Sequence, residues 1–598
     1  MKKINAILIL IAVLSLFTLG VLVVLADNPI TPMPKPETTP TPFVDLNENI
    51  NVSREIVVRV KEDFSKAGLT GIYDTTFQAG IRMRIDRLIA NNTYTEDTPL
   101  VIYNPFLTNS QSLYVYFETK EPYAVSYVVH QPEKAYEDFE VNVVPSDPST
   151  STIHEFQIIG LIPDSTNLIT IRLTDEEGEV YLRRFYYENE NSVEATTLQL
   201  DVTRGTKEVE NEDKTVSIVA ASNETASQGL FVTFPVKNEL APYVRYYDNL
   251  GVQRGELPLE AFGSKELIVV DDMMYYKVSD SKIAGVNRLG QVTAVYQVFG
   301  YSFGEDFCLD KNNDILVLAS DVTTSSVHDR ILLIERATGA ITELVDMGKL
   351  LPAYKEKCTM KNGVLDWIHL SAIDLVDGNR VVVYAEKTGT VIKIRRLYND
   401  PRLAYMMGDV EPFAGTTYAE EFFLRLDNEF EMHDNTPVLL YQEYDLIRES
   451  RHYLDILNNN EEKSYAKGEK PYSVYYRYLV DEAEFGVRLV NSFELPATGD
   501  EGSIQWYGNH VIMNGDIIPE FFEYDSDFQI INTYRYEEPI VTKTEDELEE
   551  EEDNPPPDGT VLFARVMKED FLSYYFSEKP VLILPEQSET EENSANNE

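Results

Sequence analysis

The sequence predicts an all-β protein: an N-terminal β-sandwich followed by a six-bladed β-propeller. Two observations carry this prediction. Most of the 598 residues fall into short alternating apolar and polar segments broken by turn residues, the pattern of half-buried strands. From about Ser217 to about Phe576 a strand, turn, strand unit recurs, and the turn glycines of its first three copies, Gly251, Gly290 and Gly339, are 39 and 49 residues apart. Four-stranded propeller blades repeat at about 40–50 residues. Hydrophobic residues make up 43% and aromatics 11%, enough for a core, which excludes a wholly disordered chain. The 51 Lys and Arg against 101 Asp and Glu give a net charge of −50. Such a field repels phosphate backbones, so no nucleic-acid partner is expected, and any anionic substrate needs a local cationic pocket. Two cysteines exclude a disulfide scaffold and a Cys-rich zinc or iron–sulfur centre.

At the N-terminus, Lys2 and Lys3 precede an uncharged run from Ile4 to Ala26. The run is long enough for a bilayer span, so residues 1–26 are expected to form a membrane anchor, with a cleaved signal peptide as the alternative. Either reading exports the chain after Asp27, giving a cell-membrane protein with one N-terminal span and extracytoplasmic domains, or a secreted one. Residues 27–53 read as a Pro/Thr-rich stalk, including Thr39-Pro40-Thr41-Pro42. The sandwich is expected over 54–190. Its strands are Leu113 to Phe117, Tyr123 to Val129, Glu155 to Leu161, Leu168 to Thr174 and Glu179 to Tyr186. Helical spacing of Phe77, Ile81, Ile85 and Leu88 predicts a helix over 77–90, although Gly80 interrupts it; a second, shorter helix is expected over 405–419.

The propeller is expected over 215–576. The repeated turns are Tyr247 to Val252, Asn287 to Val292, Glu335 to Ile341, Asn399-Asp400, Asp481 to Val487 and Tyr524 to Phe528, one per blade. Val561 to Val566 is the candidate closing strand. Before it, residues 544–558 form an acidic insert in which Glu545 to Asp553 holds eight acidic residues. This reads as a solvated loop, with a calcium-binding strip as the alternative. Residues 585–598 form a polar tail.

The seven histidines are at 130, 154, 328, 369, 433, 452 and 510, and no metalloprotease, nucleophile-elbow, Walker or dinucleotide motif accompanies them. The stretch Asp366-Trp367-Ile368-His369-Leu370-Ser371-Ala372-Ile373-Asp374, continuing through Arg380 to Tyr384 and Val391 to Ile394, resembles a core motif of the bacterial arylsulfotransferases. Asp306 to Leu316 resembles that family's His-His-Asp segment and the turn it leads into. Asn104 to Asn109 and His154 to Leu161 resemble its N-terminal sandwich domain. The resemblance covers about residues 55–540.

The resemblance implies a six-bladed propeller with an N-terminal sandwich, in agreement with the repeat. It also implies transfer of a sulfuryl group from a phenolic sulfate to a phenol through a sulfohistidine, with no cofactor and no metal. The transition state is loose, with charge on equatorial oxygens that needs cationic or hydrogen-bonding partners. By this resemblance His433 is the nucleophile and His369 its acid–base partner. Ser371 stands where the family carries Asn, Glu305 where it carries His, and Glu386 where it carries Arg. A carboxylate beside a sulfate repels it, so these substitutions favour a second reading, a diverged surface-exposed binding propeller. Cys308 and Cys358 are candidates for a disulfide in an exported protein. A homo-oligomer is left open.

Overall fold

The structure, a computed structural model, describes residues 50–577 apart from 63–68, 133–135, 146–151, 190–198, 211–215, 236–241, 262, 427–439, 445–449, 461–471, 497–501, 516–519 and 537–562. The expected anchor, the acidic insert, the polar tail and His433 lie outside the described residues, as does the stalk up to residue 49. Among the described residues no helix is long and apolar enough to cross a membrane.

The N-terminal unit is two sheets packed face to face. One has five strands in the order Ile50–Glu55, Val180–Asn189, Ser165–Thr174, Ala124–His130, Phe139–Asn142, and the other three, Leu100–Tyr103, Ser112–Glu118, Ile153–Ile159. The expected stalk therefore ends earlier than residue 53, because Ile50–Glu55 pairs in parallel with Val180–Asn189. Alternation explains why Ser112–Glu118 is buried on both faces. Leu113, Val115 and Phe117 enter the core between the sheets, while Tyr114 and Tyr116 pack under the helix Thr75–Asn91 through Ile81 and Ile85. Asp74 caps that helix, its carboxylate accepting from the Thr76 and Phe77 amides at 2.7 and 3.0 Å.

Six sheets come after it, one per blade. Blades 2, 3 and 4 are simple meanders over residues 267–297, 301–346 and 370–407. Blade 5 runs from Leu440–Tyr444 to Gly486–Pro496, with Arg425–Leu426 added in parallel at its outer edge. Blade 6 spans Ser503–Tyr507 to Ile530–Tyr536 and gains a fifth, outer strand from Leu200–Arg204. Blade 1 takes its innermost strand, Phe563–Glu569, from the far end of the chain, paired with Leu230–Pro235. This strand exchange closes the ring.

The six repeated turns all join the third strand of a blade to the fourth. In three of them an Asp or Asn side chain makes the turn: Asp248 Oδ1 accepts from the Leu250 and Val252 amides, Asn287 Oδ1 from Leu289 and Gln291, and Asp525 Oδ1 from Asp527 and Gln529. Gly251 and Gly290 come next with φ of 76° and 84°, where a side chain would strain the backbone. The helix expected over 405–419 does not form. Arg402–Met407 is the outer strand of blade 4, and only Thr417–Glu421 is α-helical, because Glu411-Pro412-Phe413 makes a tight 3₁₀ turn between them.

Two seams bear on stability. Across the closure, the buried Lys568 ammonium lies 3.7 Å from Glu523 and 3.8 Å over the Phe231 ring, and it donates to Asn249. Glu523 in turn accepts from the Ser227 amide and hydroxyl, each at 2.6 Å. Between blades 4 and 5, the buried His452 has Nε2 2.8 Å from the Tyr405 hydroxyl. Burial, helped by the charges of Lys393 and Arg380, drops the His452 pKa to about 3, and burial alone drops that of His154 to about 4. Unfolding releases both to the ordinary value near 6.5, so below that pH these two sites bind more protons in the unfolded chain than in the folded one. These two histidines therefore lower stability as pH drops from about 6.5 toward 4, and His452→Phe should make the acid limb less destabilising than in the wild type in urea-unfolding curves taken across the range. An unchanged limb would mean that His452 stays charged in the fold.

Candidate active site

In an antiparallel blade, the chain entering the first strand and the turn from second to third strand lie at the same end. That end of the propeller gathers the charged groups. Lys265 enters blade 2 and His369 enters blade 4. His328 lies between the second and third strands of blade 3, and Glu386 and Lys387 sit in the corresponding 3₁₀ turn of blade 4. Glu305 projects from the innermost strand of blade 3, Tyr301–Leu309, where the pairing register shifts between Phe303 and Phe307. The sandwich docks on the opposite, turn-bearing end, where the Thr108 hydroxyl donates to Gly290 O at 2.5 Å.

Trp367 anchors the His369 segment. Its indole N–H donates to Asp329 Oδ2 at 2.9 Å, and this buried carboxylate also binds Ser326, Arg330 and Lys355. His369 then turns with φ 46°, its Nδ1 2.8 Å from Asp366 Oδ2, while its carbonyl accepts from the Glu386 amide at 2.9 Å. Fixing Nδ1 leaves Nε2 as the nitrogen that can exchange a proton with a ligand. The His328 ring stacks on His369 with centroids 4.1 Å apart and planes 15° apart.

Charge around the pair is mixed. Lys265 Nζ is 2.9 Å from Glu305 Oε2, and Lys387 Nζ is 3.9 Å from Asp366 Oδ2. Burial pulls His369 down, but the Asp366 hydrogen bond and the charges of Glu386, Asp366 and Glu305 outweigh it, so its pKa is raised. Burial and the charge of His369 lower that of His328. Burial raises Glu386, against the opposing charge of His369, whereas Lys265 outweighs burial at Glu305 and lowers it. Deeper in the channel, Glu266, Asp306 and Asp374 come from blades 2, 3 and 4, with Arg565 of blade 1 lying 3.0 Å from Glu266. Burial lifts Glu266 and Asp374 to about 7.

Of the residues nominated by sequence, His369, Glu305 and Glu386 thus share one cluster. Ser371 lies just beyond on Leu370–Asp377, with a buried hydroxyl that has no hydrogen-bond partner. The structure does not form the suggested bridge: Cys308 and Cys358 are free thiols. Cys308 lies on the channel-side strand of blade 3, and Cys358 comes after the helix Pro352–Lys355 beyond that blade's outer strand, its thiol 3.5 Å from Tyr354 O. His328, Lys265 and Asp366 were not nominated. Lys265 is 40 residues from its partner Glu305, and nothing in the local sequence signals that contact.

The fold and site define a six-bladed propeller with an immunoglobulin-like N-terminal domain and an acid–base cluster at one end of its channel. Residues 215–527 match the arylsulfotransferase (ASST) family model, and residues 100–188 match the arylsulfotransferase Ig-like domain. The chain belongs to the arylsulfotransferase family. No curated protein matches it. Among solved structures it is similar to virginiamycin B lyase from Staphylococcus aureus, at 12% identity and a TM-score of 0.28 over 56% of this chain and 99% of that one. It is also similar to the WD40 domain of coronin from Toxoplasma gondii, at 7% identity and a TM-score of 0.30 over 57% of this chain and 76% of that one. Neither overlap is close enough to transfer an activity.

Proposed function

We propose that the protein is an aryl-sulfate sulfotransferase that moves a sulfuryl group from a phenolic sulfate to a phenol through a sulfohistidine on His433, with His369 as the acid–base residue. The observation that carries this reading is His369 itself, tied through Nδ1 to Asp366, with its pKa raised by that bond and by the carboxylates beside the channel. In the first half-reaction the His369 Nε2–H protonates the departing aryloxide while a neutral imidazole attacks sulfur. In the second, His369 takes the proton of the incoming phenol as its oxygen attacks the sulfohistidine. An in-line displacement puts nucleophile and acid on opposite sides of sulfur, roughly 6 Å apart from the sum of an attack distance and a hydrogen bond. Parallel rings 4.1 Å apart do not meet that requirement, which speaks against His328 as the nucleophile; His433 is proposed for that role on the family resemblance. The reading also places these domains outside the cytoplasm behind residues 1–26, as an anchor or a cleaved signal.

The binding-propeller reading draws on one specific observation: Glu305 and Glu386 both act on His369, and Lys265 is already committed to Glu305. Release of nitrophenolate from a nitrophenyl sulfate separates the two. The transferase reading expects slow release by the wild type and a rise of about tenfold in Glu386→Arg, which supplies positive charge where the sulfate oxygens gather. No release, with a phenol still bound by the folded protein, favours the binding propeller. A folded Glu386→Arg with an unchanged rate removes Glu386 from the sulfate site.

A further inference from the structure

His328 was not among the residues nominated by sequence, and its geometry is specific. We propose that His328 is a positioning residue for the His369 proton: the stacked pair holds one proton, which rests on His369 beside Asp366, and His328 takes up the positive charge once His369 has given its proton away. This inference rests on the sulfuryl-transfer reading for its chemical purpose, though not for its test.

Three features of the stack support it. Two imidazolium ions with centroids 4.1 Å apart repel, so the second protonation is disfavoured while the first is in place. Both residues adopt left-handed backbone, with φ 51° at His328 and 46° at His369, a conformation uncommon outside glycine that the surroundings must hold. Here His328 N donates to the Ser320 hydroxyl at 2.8 Å, and His328 O accepts from Leu370 N at 2.8 Å, which ties the loop of one blade to the first strand of the next. Finally, His328 Nδ1 is buried without a hydrogen-bond partner, as expected of a ring kept neutral in the resting state.

The groups facing the pair decide where the proton goes. From the segment entering blade 4 come Asp366 and His369. Glu305 comes from blade 3, bonded to Lys265 of blade 2. Asp329 lies on the His328 loop itself, and Glu386 and Lys387 on the blade 4 turn. Burial and the charge of His369 lower the His328 pKa, while Asp366, Glu305 and Asp329 pull the other way, so loss of the His369 charge removes one of the two opposing causes and shifts His328 toward protonation. The protons balance. His369 Nε2–H passes to the aryloxide, which leaves as a phenol, and His328 takes one proton from solvent. In the return half-reaction the incoming phenol's proton goes to His369 and His328 gives its own back. The pair so keeps one positive charge through the cycle despite Glu305 and Glu386.

The test is a pH titration of the full chain carrying ¹³C-labelled histidine, whose seven imidazoles are few enough to assign. Asparagine tolerates left-handed backbone, so His369→Asn and His328→Asn are the variants. In the wild type, one of the two rings should titrate above the ordinary histidine value and the other below it. His369→Asn should move the His328 midpoint upward. With phenyl sulfate, whose leaving group needs the His369 proton, His328→Asn should lower kcat by roughly tenfold with KM unchanged, a partial loss of general-acid assistance. A His328 midpoint that does not move in His369→Asn overturns the proposal. If that variant fails to fold, simultaneous protonation of both rings in the wild type overturns it equally. A coupled pair in a protein that releases no phenolate would leave the proposal standing and sink the transferase reading; release with uncoupled rings would do the reverse.

Discussion

Replacing His369 with asparagine is expected to slow sulfuryl transfer by about 10²–10⁴-fold, the usual effect of losing a general acid. Asparagine is the informative choice because the backbone there has φ 46°, which alanine would occupy only under strain. The loss should grow with the basicity of the departing phenol. A nitrophenolate leaves with little help, whereas an unsubstituted phenolate needs the proton that His369 carries. Asp366 fixes Nδ1, so Asp366→Asn should show the same trend more weakly. Initial rates over a series of aryl sulfates check this, and a uniform loss across the series would make His369 a binding group instead.

The largest effect on stability is expected at the ring closure. Glu523→Ala leaves the Lys568 ammonium fully buried over Phe231 with its carboxylate partner gone, which costs about 3–5 kcal/mol by the behaviour of broken buried ion pairs. Burial opposes ionisation of Glu523, but Lys568, His510 and Ser227 hold its pKa down to about 2, so in the wild type the pair stays ionised until pH approaches 2, while its contribution to stability declines as pH falls from the ordinary carboxylate value toward 2. Adding Lys568→Met removes the stranded charge and should recover most of the loss. Chemical unfolding of the single and double variants measures both. A single-variant cost no larger than a surface substitution, within about 0.5 kcal/mol, would mean that the closure does not depend on this pair.

The two ends of the propeller differ in how legible they were in the sequence. On the turn-bearing end, the third-to-fourth-strand connections are made locally, and in three of the six Asp248, Asn287 or Asp525 folds back onto amides two and four residues on. Local chemistry leaves a local signature, and six such turns give the blade number. The helix at Thr75–Asn91 was legible for the same reason, since its apolar stripe and Asp74 cap are contiguous in sequence. The helix expected over 405–419 failed because apolar spacing there reflects the outer strand of blade 4 followed by a Pro-containing turn.

At the other end, the site is assembled from loops of three blades. His369 was reached through the Trp367 motif, whose anchor, Asp329, lies 38 residues away. His328 has no motif of its own; the only hint was its place beside Asp329 in the Ser326-Val327-His328-Asp329 loop. Ring stacking between loops of neighbouring blades is a property of the closed propeller, and no spacing rule in the sequence encodes it.

The central claim is that a sulfuryl group rests on His433 in mid-cycle. Mixing the protein with a nitrophenyl sulfate in the absence of acceptor, quenching in alkali and mapping peptides by mass spectrometry tests it most directly. One sulfuryl group is expected on the peptide that contains His433, formed in a burst with one equivalent of nitrophenolate and lost in His433→Ala together with the release. Phenolate release with no sulfated histidine, or with the label elsewhere and full activity in His433→Ala, would contradict it.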